Sequence, residues 1–286
     1  MLAGMRLQTL LSCLLFALVL CTGVPGLASP LAVRYPAQST GYEYPVHLLD
    51  LALRKSGNDY TLQAVNTAML QGRALKQLAA GADIDVAWSM TSNAREAELT
   101  PIRIPIDKGL LGWRIFLINN KDTARFAQVK TLADLQRLEA GQGHDWPDTE
   151  ILRANGLKVQ GYPVFDSLFT MLQHGRFDYF PRSIMEIWGE HKSHPGMNLV
   201  VEQTVILHYP TAYYFFVNKN NAPLAAAIKK GLLRAIKDGS FDTLFNQTYG
   251  DVVERTRLQS RKRLQLTNPL LPAKTPLNQK ELWLTF

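Results

Sequence analysis

Residues 60–88 read YTLQAVNTAMLQGRALKQLAAGADIDVAW. The β-rich run at 60–65 is expected to be a strand. A helix is expected over 71–80, closed by Gly81, and a second strand over 83–88. A strand, a helix and a strand of these lengths imply two parallel strands joined by a crossover helix. Working outward, 31–35 reads as a short strand stopped by Pro36, followed by a polar loop through Gly41. Residues 46–55 carry Val46, Leu48, Leu49, Leu51, Ala52 and Leu53, a helical pattern ending at Gly57. The N-terminal third therefore reads as βαβαβ, a parallel sheet with flanking helices.

Further along, 112–119 (GWRIFLIN) and 212–218 (AYYFFVN) are long apolar strands. Between them a helix is expected over 131–138, then a glycine-containing loop over 141–145. A helix over 146–155 opens at Pro147 and closes at Gly156. A strand at 158–162, a helix at 166–174 capped by Gly175, a strand at 177–180, a helix at 183–190 and a strand at 199–205 follow. Helices at 224–237 and 241–249 follow the second long strand, the latter a short one. Two α/β blocks with two long strands between them predict two lobes and two crossings. The lobes are expected over 29–115 with 216–250, and over 116–215, the first being discontinuous. A cleft between two lobes is where small ligands prefer to bind.

The chain has 286 residues, 47% apolar and 19% charged, which excludes a wholly disordered, collagenous or coiled-coil protein. Its only cysteines are Cys13 and Cys21, too few for a disulfide scaffold or a four-cysteine zinc site. Both lie in residues 1–28, which read as a cleaved export signal: Arg6, an apolar run over 10–20, and small residues at Gly26 and Ala28. That run is shorter than the ~20 residues of a membrane-spanning helix. An uncleaved anchor, or lipidation at Cys21, is the alternative. Export to the periplasm is expected. The formal net charge is +7, and residues 251–286 hold seven bases against three acids. This basic tail has Leu258 but no aromatic residue between the bases of its run over 255–263, so no nucleic-acid partner is expected. It reads as a solvated helix face packing on the first lobe, touching an anionic membrane surface or a partner.

Several segments together resemble the family 3 bacterial extracellular solute-binding proteins, which have the type II periplasmic binding fold. Leu75, Leu78, Gly81 and Asp83 through Asp85 match the lead into a sheet strand. Met90-Thr91-Ser92-Asn93-Ala94-Arg95 is similar to the ligand segment, and Lys130-Thr131-Leu132-Ala133-Asp134-Leu135 to a helix start. Leu172, Gly175, Arg176 and Asp178 match a further motif. Phe215 to Lys219 and Asp238-Gly239-Ser240 match the return strand and a helix end. The match runs over about 31–250.

The resemblance implies an α/β, two-lobed fold, each lobe a mostly parallel sheet flanked by helices, with two hinge strands. It implies a cleft that closes on a small, usually amino-acid-like solute, for delivery to a membrane permease or for sensing through a membrane receptor. Arg95 takes the place of the arginine that pairs with a ligand carboxylate, a role its bidentate guanidinium suits. Thr91 belongs to the same segment.

On the other lobe the resemblance places Ser183 where relatives carry an aspartate for the ligand ammonium. Arg182 precedes it, and Glu186 is the acid that stands in for it. Asp145, Asp148 and Glu150 crowd the start of the helix at Pro147, as caps and dipole partners or as repellents of an anionic ligand group. A cationic or hydroxylated ligand end suits that lobe. Tyr35, Tyr42, Trp88 and Trp113 fall near strand ends and read as cleft walls or as core. His144, between Gly143 and Asp145, is a further candidate for the cleft. Glu190-His191-x-x-His194 sits in a Gly-, Pro- and Ser-containing loop without a third firm ligand, so no metal or cofactor is expected. A monomeric binding protein without catalysis is the leading expectation. The alternative is a periplasmic enzyme on the same fold, a cyclohexadienyl- or arogenate-type dehydratase, with Glu43, Asp145, Glu186 or His144 as its acid.

Overall fold

The computed structural model describes residues 31–37, 43–65 and 69–284. The expected export signal and Tyr42 lie outside these residues. Chain order opens with β1 (Leu31–Pro36), α1 (Tyr44–Ser56), β2 (Tyr60–Val65), α2 (Gln71–Ala80), β3 (Val86–Met90), α3 (Asn93–Glu98) and β4 (Leu99–Ile102). Next come β5 (Trp113–Asn119), α4 (Thr123–Phe126), α5 (Leu132–Leu135), β6 (Glu139–Gly143), α6 (Pro147–Ala154), β7 (Lys158–Tyr162), α7 (Phe165–Gln173) and β8 (Tyr179–Ser183). The order closes with α8 (Ile187–Ser193), β9 (Leu199–Val201), β10 (Val205–His208), β11 (Tyr213–Asn218), α9 (Ala222–Lys237), α10 (Ser240–Thr256) and β12 (Lys262–Gln265).

The first lobe pairs β1 with β2 in parallel and sets β11 between β3 and β4. The Asp85 N–H donates to the Arg34 carbonyl at 2.9 Å and ties the two strand groups together. The second lobe is a seven-stranded sheet in the order β12-β10-β5-β8-β6-β7, with β9 beside β5. Each lobe combines parallel pairs with antiparallel ones at β5 and β11, the strands that follow the two crossings. The chain crosses at 103–112 and returns at 209–212. β5 then pairs only with second-lobe strands, and β11 only with β3 and β4.

Both long strands are buried on two faces, which explains their unbroken apolar sequences. Trp113, Ile115 and Leu117 enter one core cluster, and Phe116 and Ile118 another. Phe215 and Val217 alternate with Tyr214 and Phe216 in the same way. Each such side chain contributes about 1.5–3 kcal/mol by leaving water. Helices α1 and α9 pack at backbone distance: a Cβ on Gly231 would stand 1.7 Å from the Ala52 carbonyl oxygen. α1 and α2 end on Gly57 (φ 89°) and Gly81 (φ 66°), as their glycines predict.

Several element bounds differ from the sequence expectation. Residues 141–143, expected as a loop, are the end of β6, paired in parallel with β7. Their glycines mark close approach rather than a turn. A Cβ on Gly141 would meet the Phe177 ring at 2.3 Å, and one on Gly143 the Trp146 ring at 2.4 Å. β3 starts at Val86 instead of Asp83, because the Asp85 carboxylate takes the Arg34 N–H and Nε, each at 2.9 Å. The helix expected over 131–138 is a single turn with a Thr131–Asp134 capping box. Residues 199–205 form two strands. The Glu202 carboxylate accepts from the Thr204 and Val205 N–H groups at 2.6 and 2.9 Å, making the turn between them. β8 runs through Ser183, and its helix starts only at Ile187. α10 extends to Thr256. The basic tail, expected against the first lobe as a helix face, adds β12 to the second-lobe sheet. Its Lys262–Gln265 segment pairs in parallel with β10. Farther on, the Leu284 N–H donates to the Lys108 carbonyl at 2.9 Å.

Candidate functional site

Two cavities lie side by side between the lobes and share Trp146 and Pro147. One, of about 640 Å³, runs from Ser92–Arg95 to His144, Asp145 and Glu150. The other, of about 310 Å³, lies between Gln71, Met90 and Tyr213 of the first lobe and Arg114, Asp148, Phe165, Arg182 and Glu186 of the second. The ends of β3, β5 and β8 reach the smaller cavity through Met90, Arg114 and Arg182, and the start of α6 reaches both through Pro147. The lobes approach closely at Gly72, where a Cβ would lie 3.1 Å from Asp145 Oδ2.

Arg95 stands in the first turn of α3, whose N-cap Ser92 accepts the Arg95 N–H at 3.2 Å. Its guanidinium donates to Ser89 Oγ, to the Met90 carbonyl and to Gln71 Oε1, the last two at 2.8 Å. All three partners are neutral. Among the described residues no carboxylate lies within ion-pair distance of it: Glu96, its neighbour, pairs with Arg103 and accepts the Thr91 hydroxyl. Burial lowers the Arg95 pKa, and the fields of Asp148 and Asp145 across the gap oppose that shift. A desolvated guanidinium without a counter-ion favours a bound anion.

The floor of the smaller cavity is a chain of ion pairs. Arg114 Nη2 lies 2.6 Å from Asp148 Oδ1, and its Nη1 lies 3.5 Å from Glu186 Oε2. Tyr209 accepts Arg114 Nε at 3.0 Å and donates its own hydroxyl to Asp148. Arg182 makes a two-toothed pair with Glu190, at 2.7 and 2.6 Å, and reaches Glu186 Oε2 at 3.1 Å. The Arg182 guanidinium also sits 4.7 Å from the Trp146 ring centre and 5.4 Å from that of Phe165. Burial raises the Glu186 pKa against the pull of Arg182. Both arginines of the smaller cavity, Arg114 and Arg182, are thus paired with carboxylates of the protein itself.

Arg95, His144 and Asp145 share the larger cavity, and Arg182 and Glu186 the smaller. Trp88 lines an adjoining space of about 200 Å³ with Gln71 and Tyr213, and Tyr35 packs 6.0 Å from it. Thr91 is buried, with its hydroxyl on Glu96. Ser183 is buried too, its hydroxyl against the Leu110 carbonyl at 3.4 Å. Trp113 points away from the cleft, onto His208 at 4.0 Å. Thr91, Ser183 and Trp113 are not among the lining of either cavity. Asp148, expected as a helix cap or dipole partner, is a member of the ion-pair chain. Sequence reasoning missed Arg114, Tyr209, Gln71 and Tyr213. Arg114 had a signal, the one charged residue inside GWRIFLIN. Glu190 is taken by Arg182, and His194 stacks on Phe169 at 3.7 Å. Among the described residues no group of three or more His, Cys, Asp or Glu side chains is placed to hold a metal ion.

No protein-family model matches the chain, and no curated protein sequence does. Solved structures match in shape. An ancestral arginine-binding protein bound to glutamine superposes with a TM-score of 0.60 at 19% identity, over 77% of this chain and 98% of that one. The arginine-, lysine-, histidine-binding protein of Geobacillus stearothermophilus superposes with a TM-score of 0.58 at 17% identity, over 78% of this chain and 96% of that one. A histidine kinase sensor domain with similarity to periplasmic binding proteins reaches 0.57 at 17% identity, over 77% and 96%.

The chain has the two-lobed periplasmic-binding-protein fold. Both cavities lie in the gap between the lobes. The likeness, at these identities, carries the fold and leaves the ligand to the cleft's own chemistry. No helix among the described residues is long and apolar enough to cross a membrane.

Proposed function

We propose that this protein binds a small polar solute, amino-acid-like or carboxylate-bearing, in the interlobe cleft. It acts in the periplasm, without catalysis, and passes the solute to a membrane permease or reports it to a membrane receptor. One observation carries the reading: Arg95 lines the larger cavity with neutral partners only. The opposite wall holds Asp145 and Glu150 beside Arg153, two acids against one base, so a solute with a carboxylate at one end and a cationic or hydroxylated group at the other suits both sides. The structural neighbours that bind amino acids or serve an amino-acid transporter support the same class of ligand.

A thermal-shift screen of amino acids, cyclic carboxylates, polyamines and sugars tests it. A carboxylate-bearing solute is expected to raise the melting temperature. If none does at millimolar concentration, the reading fails. One feature favours a second reading as a dehydratase: Glu186 lines the smaller cavity, and burial raises its pKa. Turnover of prephenate or arogenate by the purified protein promotes that reading over the first.

A further inference from the structure

The basic tail does more than extend the second-lobe sheet. After β12 the Leu266 N–H donates to the His208 carbonyl at 2.8 Å. Thr267 then meets the end of α6. Its N–H donates to Asn155 Oδ1 at 3.0 Å, and Asn155 Nδ2 donates to its carbonyl at 2.8 Å. Three residues on, the Leu270 carbonyl accepts the N–H of Asn93, the first residue of α3, at 3.2 Å. Asn155 belongs to the second lobe and Asn93 to the first. Among the described residues the tail therefore makes a third link between the lobes, besides the two crossings.

The two helices joined in this way carry facing walls of the larger cavity: α3 brings Arg95, and α6 brings Glu150 and Arg153. Leu270 itself lines the same cavity beside Asn93, and it packs on the core cluster that holds Met90 and Leu111. The link is short and stiff. Three residue steps span at most about 11 Å, at roughly 3.6 Å each. Pro269 fixes its own φ and holds Asn268 out of the helical region. Asn268 braces the middle: its Nδ2 donates to the Pro210 carbonyl at 2.9 Å, and its Oδ1 accepts the Leu270 N–H at 3.0 Å. A rotation that opens the larger cavity at these walls must stretch a segment with little slack or break the bonds at Asn155 and Asn93.

We propose that residues 267–270 are a strap that holds the walls of the larger cavity at a nearly fixed separation, with Asn155 and Asn268 as its positioning residues. Arg95 then meets its solute in a site set before binding, which lowers the ordering cost of association. That consequence rests on the larger cavity's being the solute site, whereas the strap itself does not depend on it.

Spin labels at Glu98→Cys on α3 and Lys158→Cys on β7, in a chain that also carries Cys13→Ser and Cys21→Ser, report the distance between the lobes by pulsed electron paramagnetic resonance. Both labelled positions are exposed. No solute is added. The parent protein is expected to give one narrow distance peak. A Gly-Ser-Gly-Ser insertion between Pro269 and Leu270 adds a reach of up to about 14 Å and is expected to broaden the distribution toward longer distances. Asn155→Ala removes both side-chain bonds to Thr267 and is expected to do the same to a smaller extent. Circular dichroism and the melting temperature confirm that each protein folds. If the insertion prevents folding, Asn155→Ala decides. Distributions that are the same in parent and variants, whether narrow or broad, overturn the proposal. Because no solute is present, a failed thermal-shift screen leaves this result standing, and a failed strap leaves the Arg95 reading to its own test.

Discussion

Arg114 Nη2 lies 2.6 Å from Asp148 Oδ1 in the floor of the cleft, with the two side chains 3% and 7% exposed. Burial opposes the Arg114 charge, and Asp148, Tyr209 and Glu186 outweigh it, so its pKa is raised. Breaking such a pair by removing one partner leaves an uncompensated buried charge, which costs about 3–5 kcal/mol. Asp148→Asn is therefore expected to destabilise the protein by about that amount in chemical denaturation. The double variant Arg114→Met, Asp148→Leu is expected to lose less than the sum of its single variants. Strict additivity contradicts the pairing.

Gly231 carries a second expectation. Its missing Cβ would stand 1.7 Å from the Ala52 carbonyl oxygen, a backbone atom that cannot swing aside. Gly231→Ala gains helix propensity of about 1 kcal/mol, yet it forces α1 and α9 apart. A net loss of about 1–3 kcal/mol is expected by urea unfolding, with a lower melting temperature. A stability gain shows that the helices are not packed this closely.

Much of this architecture is legible in the sequence. Gly57 and Gly81 end their helices in the left-handed conformation, and the strand bounds at 60–65 agree. The site is harder to read, for a reason visible at Trp113 and Arg114. Successive side chains on a strand point to opposite faces, so only one of the two can reach the cleft. An aromatic residue near a strand end suggests a cleft wall, but the arginine inside the apolar run is the one that faces it. Ser183 shows a similar limit: its expected ligand role comes from the resemblance, whereas β8 carries it into a buried position. Asp148 near a helix start has the sequence of a cap, and only tertiary contact with Arg114 and Tyr209 reveals its use.

Asp107, in the first crossing, sets a pH dependence. Burial raises its carboxyl from 3.8 to about 6, against the Leu111 and Gly109 N–H groups and Arg114. The folded state thus holds this proton to higher pH than the unfolded chain does. Below about pH 4 both states are protonated and the contribution is fully present. As pH rises through about 6 the unfolded chain ionises more easily, and about 3 kcal/mol is lost. Stability profiles of wild type and Asp107→Asn are expected to differ in slope across that window, with the variant flatter. Parallel profiles contradict the buried carboxyl.

Arg95 carries the central claim, and calorimetry on the wild type and Arg95→Ala addresses it directly, using the solute with the largest thermal shift. The variant is expected to keep its fold, because the Arg95 side chain donates only to Ser89, Met90 and Gln71. Removing the charge that faces the ligand is expected to weaken a carboxylate-bearing solute about a hundredfold. Unchanged affinity in a folded Arg95→Ala protein contradicts the account.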